Sequence, residues 1–165
     1  MKIVLALLLS LAFVSPALAD QNVRWQGIHG VITALNVNNP VGDNIDSGTF
    51  AWTTHNGQAG VNLTTGAAVF VVEGLVINGS VFSGTPGPIT SVTGTLVCNP
   101  GAGASEEILD TAAVPLSALG HAQFSGHIAG IPSPCSNPLF LIRIASPAGA
   151  AGLWIATGTE RLIVH

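Results

Sequence analysis

Charge is scarce in this sequence. Charged residues make up 7% of the 165, against roughly 25% in an ordinary soluble domain. Lys2 is the only lysine, and Arg24, Arg143 and Arg161 are the only arginines. So few cations cannot be assembled into a basic patch, so nucleic acid is not an expected partner, and an anionic membrane surface is a poor one. Disorder is disfavoured as well: disordered chains are rich in charge and poor in apolar residues, whereas 48% of this chain is hydrophobic. Helical periodicity is almost absent. Beyond the N-terminal segment no apolar run approaches the roughly 20 residues that a membrane helix requires, so no transmembrane anchor is expected.

The signatures of catalysis are missing too. There is no G-x-S-x-G elbow, H-E-x-x-H pair, phosphate-binding loop or dinucleotide fingerprint. Gly101-Ala102-Gly103 lacks the following glycine and helix of such a fingerprint and reads as a flexible loop. The two cysteines are not spaced as C-x-x-C, so thiol redox chemistry is not signalled. Neither an enzymatic activity nor a cofactor is expected.

What the chain does have begins at its start. Lys2 is followed by an apolar run from Ile3 to Val14, a break at Ser15-Pro16, and Ala17-Leu18-Ala19. A positive start, a short apolar stretch and a small-x-small site make a cleavable signal peptide. Residues 1–19 are therefore expected to be removed, leaving residues 20–165 as one domain of about 146 residues that begins at Asp20. Three arginines against eight acids then leave a formal charge of −5. After export the domain would be secreted or periplasmic. In an oxidising compartment Cys98 and Cys135 are expected to pair. Closing so long a loop stabilises the fold by roughly 3–4 kcal/mol in the chain-entropy picture.

Short β-rich runs alternate with Gly, Pro and Asn, which points to an all-β domain: an antiparallel β-sandwich or barrel of nine or ten short strands. The runs are Val23 to Val37, Thr49 to Thr54, Ala67 to Val72, Leu75 to Ile77, Ile89 to Cys98, Leu139 to Ala145, Leu153 to Thr157 and Arg161 to Val164. The second and third β-runs flank a turn signal at His55-Asn56-Gly57. Val81 to Ser83 reads as the start of a returning strand, and Ser105 to Asp110 as one helical turn. Thr111 to Ser117 and His121 to Ile128 read as a hairpin around Ala118-Leu119-Gly120. Residues 67–77 fit either two strands meeting at Glu73-Gly74 or one long strand.

Side chains alternate across a strand, so Leu139 to Ile144 is apolar on both faces: Phe140, Ile142 and Ile144 on one, Leu139 and Leu141 on the other. Such a strand needs a second cover, either a long loop of its own chain or another chain. His121, Gln123, Ser125 and His127 share one face of their strand. Two imidazoles six residues apart lie roughly 20 Å apart and cannot ligate one metal. A polar solvent face accounts for them better, even with His29 and His55 as further candidates. Asp43, Asn44 and Asp46 could suit calcium, but their spacing lacks a known frame and a solvated turn is the better reading. Glu106, Glu107 and Asp110 are adjacent acids of the kind that usually solvate a turn. Trp52 shares a face with Phe50 and reads as core. Trp154 lies opposite Leu153 and Ile155 and can point outward, and Trp25 is open to either reading. An exposed indole can stack on a sugar. Trp154, Trp25, His121 and His127 are thus the candidate ligand surface. Asn62-Leu63-Thr64 and Asn78-Gly79-Ser80 match the N-glycosylation pattern.

The succession TGTLVC (Thr93 to Cys98), VPLSALGHAQFSG (Val114 to Gly126) and PSPCSNPLFLIRI (Pro132 to Ile144) resembles a group of small secreted bacterial proteins of unknown function. It covers roughly the last 70 residues. The resemblance implies export and a disulfide and carries no activity. The expectation is a secreted or envelope-associated, non-enzymatic structural or interaction protein. It would form a homo-oligomer through apolar β-faces or bind a cell-envelope partner; a carbohydrate- or small-ligand-binding module is the alternative. Mass spectrometry of the exported protein should give a chain starting at Asp20; an intact Met1 or Lys2 in that fraction would contradict the signal-peptide reading.

Overall fold

A computed structural model describes residues 21–146 and 148–164. The expected signal peptide and its Ala19–Asp20 junction lie outside the described residues. The fold is all-β, with antiparallel pairing in its ladders and, among the described residues, a single 3₁₀ turn at Gly103–Ser105. Its strands are β1 (Asn22–Gly30), β2 (Ala51–Thr53), β3 (Asn56–Asn62), β4 (Ala67–Glu73), β5 (Val76–Asn78), β6 (Ser91–Cys98), β7 (Glu107–Asp110), β8 (Val114–Pro115), β9 (Ala122–His127), β10 (Leu139–Ala145) and β11 (Ala151–Val164). The main sheet runs β7-β6-β10-β11-β1-β3-β4-β9, with β8 also on β6, and β2 with β5 forms a separate two-stranded sheet.

The main sheet curls into a half-barrel around an aromatic row. Phe140 of β10 lies 5.4 Å from Trp25 of β1 and 5.9 Å from Phe70 of β4, and Phe70 stacks 5.8 Å from Phe124 of β9. β4 and β10 are separated in the sheet by β3, β1 and β11. Their rings can meet only because the sheet bends round on itself. Glycine makes the room: a Cβ on Gly94 of β6 would lie 2.7 Å from Phe140 Cζ and 2.9 Å from Phe70 Cδ1, and one on Gly158 of β11 would lie 2.7 Å from Trp25 Cδ1. Alternating large and small inward residues is how narrow barrels fill their interior.

The β2–β5 sheet packs at one end of the half-barrel. Trp52 N–H donates to Val31 O (2.9 Å), Thr54 Oγ1 to Ile28 O (2.6 Å) and Leu75 N–H to Gly120 O (2.9 Å). Trp52, Leu75 and Ile77 are buried there. At the other end Cys98 of β6 is bonded to Cys135, which ties the loop before β10 to the end of the strand that β10 pairs.

Several elements differ from the sequence reading, each for a tertiary reason. The run 23–37, which fits one long strand or a pair interrupted at Gly27 and Gly30, holds a single strand that ends at Gly30, where the backbone of Trp52 stands in the place of a side chain. Asn56-Gly57 opens β3 instead of making a turn. That strand, NGQAGVN, has little side chain to announce it, and Gly57 is where a Cβ would stand 2.7 Å from Ile28 Cβ. Of the two readings of residues 67–77 the structure has the first, two strands parted at Gly74, whose φ of +65° lets the chain pass the His55 ring. Val81 to Ser83 is a turn with Val81 94% exposed. The expected helical turn at 105–110 is mostly β7, paired to β6. The supposed hairpin is linked by the turn Ser117–Gly120, but its arms part: β8 pairs β6 and β9 pairs β4. The last two expected strands are one, β11, with Glu160 at a φ of +53° within it. Among the described residues the strands number eleven, close to the nine or ten expected.

Filling the aromatic row's clearance should be costly. Gly94→Val should destabilise the fold by about 2 kcal/mol or more, since overpacked cores must shift backbone or rotamers. Denaturant unfolding would measure it, and an unchanged midpoint would contradict the packing described.

Candidate functional site

Which sheet surface is free depends on the long segment between β1 and β2. At one side it is fastened to β11: Trp154 N–H donates to Asp46 O, Gly48 N–H to Trp154 O, and Trp154 Nε1 to Asn39 O at 2.8 Å. At the other it is fastened beside β7. Both Glu106 carboxylate oxygens accept from Asp43 N–H (3.1 and 3.0 Å) and one also from Gly101 N–H (2.7 Å), while Asp43 Oδ2 accepts from Gly103 N–H (2.9 Å). β10 and β6 lie between β11 and β7 in the sheet. A segment tied at both places crosses their outer face as a strap. Ile45 of the strap and Leu141, Val97 and Ile155 of the strands are buried. The two-sided apolar strand β10 is thus covered by a loop of its own chain. Arg143 finishes its margin, bridging to Asp110 at 3.5 Å and donating to Gly152 O and Ala151 O.

The opposite wall of the half-barrel has no such cover among the described residues. Strand register lays Arg24, Gly60, Val69 and Ser125 in one row across β1, β3, β4 and β9, with Gln58, Val71 and Gln123 in the next. Val69 is 51% and Val71 38% exposed, although Phe70 between them and Val72 after them are buried. Ala67 pairs with His127 at the border of this face. The only charges on it are Arg24 and, at the end of β4, Glu73. Gly60 leaves a shallow depression bordered by Asn22, Arg24, Asn62, Val69, Ser125 and His127.

The sequence-derived candidates divide between these surroundings. Trp25 is 1% exposed and fills the core. Trp154 is 7% exposed and held under the strap, so the outward orientation expected for it is corrected: the strap supplies both its cover and its hydrogen-bond acceptor. Trp52 is core. His121 and His127 are exposed, and His127 shares the outer face of β9 with Gln123 and Ser125. Among the described residues no three His, Cys, Asp or Glu side chains converge as a metal site would need. Asp43 and Glu106, read separately as turn residues, meet as partners in the clasp. Asp46 accepts from Asn38 Nδ2 at 2.6 Å, and Asp110 turns instead to Thr95 and Arg143. Only the β9 part of the open wall, the polar face of Gln123, Ser125 and His127, was legible in advance; β3, NGQAGVN, offers too little side chain to place the rest.

Compared with family models, curated proteins and solved structures, the chain matches none. No helix among the described residues is long and apolar enough to cross a membrane.

Removing the clasp should loosen the strap without unfolding the half-barrel. Glu106→Ala deletes the acceptor of two backbone N–H groups, and a solvent-exposed set of this kind should cost about 1–2 kcal/mol. Limited proteolysis should then cut faster between residues 36 and 48, and cleavage at the unaltered rate would show that the clasp does not hold the strap.

Proposed function

We propose that this protein is an exported, non-enzymatic structural or interaction protein that associates with copies of itself. The observation that carries the reading is the open wall of β1, β3, β4 and β9: a sheet face with two exposed valines, a row of uncharged amides and hydroxyls, and almost no charge. Apolar surface without charge to keep it apart from a like surface favours association. The export half of the proposal draws on the signal-peptide pattern and on the resemblance of the C-terminal half to secreted bacterial proteins. The Cys98–Cys135 bridge is of the kind that persists in oxidising compartments. A carbohydrate-binding module draws less support, because Trp25, Trp52 and Trp154 are buried and offer no ring for stacking.

Sedimentation of the mature chain across a hundredfold range of concentration tests the proposal. A reversible rise in mass with concentration is expected. A strict monomer at the highest concentration would remove it.

A further inference from the structure

The main sheet ends in two edges, and they are built differently. The β7 edge is four residues long with an exposed acid at each end, Glu107 and Asp110, and its continuation β8 contains Pro115, which has no N–H to give. A second copy laid along β7 would bring four carboxylates into one short ladder. Acids and proline are standard defences of an open strand edge. The β9 edge, Ala122–His127, has neither: no Lys, Arg, Asp, Glu or Pro interrupts AQFSGH. It pairs with β4 on one side; β8 lies beside its first residues, Ala122 and Gln123, and among the described residues none of its remaining backbone groups hydrogen-bonds to another segment. Six residues is a full-length strand by ordinary standards.

We propose that β9 pairs antiparallel with β9 of a second copy, joining two half-barrels into one continuous sheet. This rests on the self-association reading above and adds to it a contact at the edge of the open wall. A two-fold axis normal to the sheet keeps inner face beside inner face, so only residues on the same face can be partners. With Ser125 on the axis, Gln123 stands opposite His127 and Phe124 opposite Gly126. No like charges are opposed, and the Phe124 ring lies over Gly126 of its own strand, so each half of the joint is apolar on its inner side. Centring on Phe124 instead would oppose His121 to His127 and draw the Ser117–Gly120 turn into the ladder, so the Ser125 register is the one that fits. The joined sheet leaves the Arg24–Gly60–Val69 rows of both copies on one continuous outer surface.

The test uses the full mature chain with its disulfide formed. Ser125→Lys places two like charges on the axis and should weaken association by about tenfold or more, with circular dichroism unchanged. Gln58→Lys, on the same face but two strands in from the edge, should associate like the parent. Ser125→Cys should give a disulfide-linked dimer on oxidation, and Gln58→Cys should not. The cysteine pair decides the matter if Ser125→Lys does not fold. Should the parent associate while Ser125→Cys gives no linked dimer, or should Gln58→Lys weaken association as much as Ser125→Lys, edge pairing fails and the self-association reading survives. A parent that stays monomeric throughout removes both.

Discussion

The contact between Phe70 and Phe140, with Trp25 and Phe124 at either side, is the constraint on which the rest of this structure depends. Two rings on strands with three others between them in the sheet must lie 5.9 Å apart, and only a strongly curled sheet allows it. Curling in turn requires that β6 carry no side chain where the rings pass, which is the position of Gly94. Without that approach the sheet would flatten, and the inward residues of β1, β4, β6 and β10 would lose their shared interior. The Cys98–Cys135 link acts at the rim of the same arrangement, holding the loop before β10 against the end of β6.

Once the sheet is curled, its outer surface divides into two walls with different fates. The wall of β6, β10 and β11 is apolar, and the strap from β1 to β2 lies across it, held by backbone bonds at Trp154 and by the carboxylates of Glu106 and Asp43 at the far side. The wall of β1, β3, β4 and β9 carries amides, hydroxyls and two valines and has no strap. One chain thus solves the problem of a two-sided apolar strand internally and leaves its uncovered face elsewhere. The acids follow the same division: Asp43, Glu106 and Asp110 all serve the covered wall, and the open wall is left nearly without charge.

Legibility tracked the amount of side chain. β4, β6 and β10, rich in Val, Ile, Leu and Phe, stand close to where their alternation places them. β3 was hidden, because Gly57, Ala59 and Gly60 supply no pattern, and their smallness is explained only by Ile28 and by the neighbouring strands. The strands around Ala118-Leu119-Gly120 read as a hairpin because turn chemistry is local, whereas the partners of β8 and β9 are set by β6 and β4, far away in sequence. Trp154 looked outward because alternation was counted against Leu153 and Ile155, and no local pattern could show a strap more than a hundred residues earlier in the chain accepting its indole N–H.

Composition and periodicity were enough to determine that this chain is an all-β domain, because the absence of helical spacing and the recurrence of short β-branched runs are local properties. The same holds for the pairing of its two cysteines, since no other thiol competes. Which faces are covered, which edge is defended and where the indoles go were decided by tertiary structure alone. Those properties depend on which distant segments become neighbours, and that follows from the curl of the sheet around the phenylalanine pair rather than from any stretch of sequence read by itself.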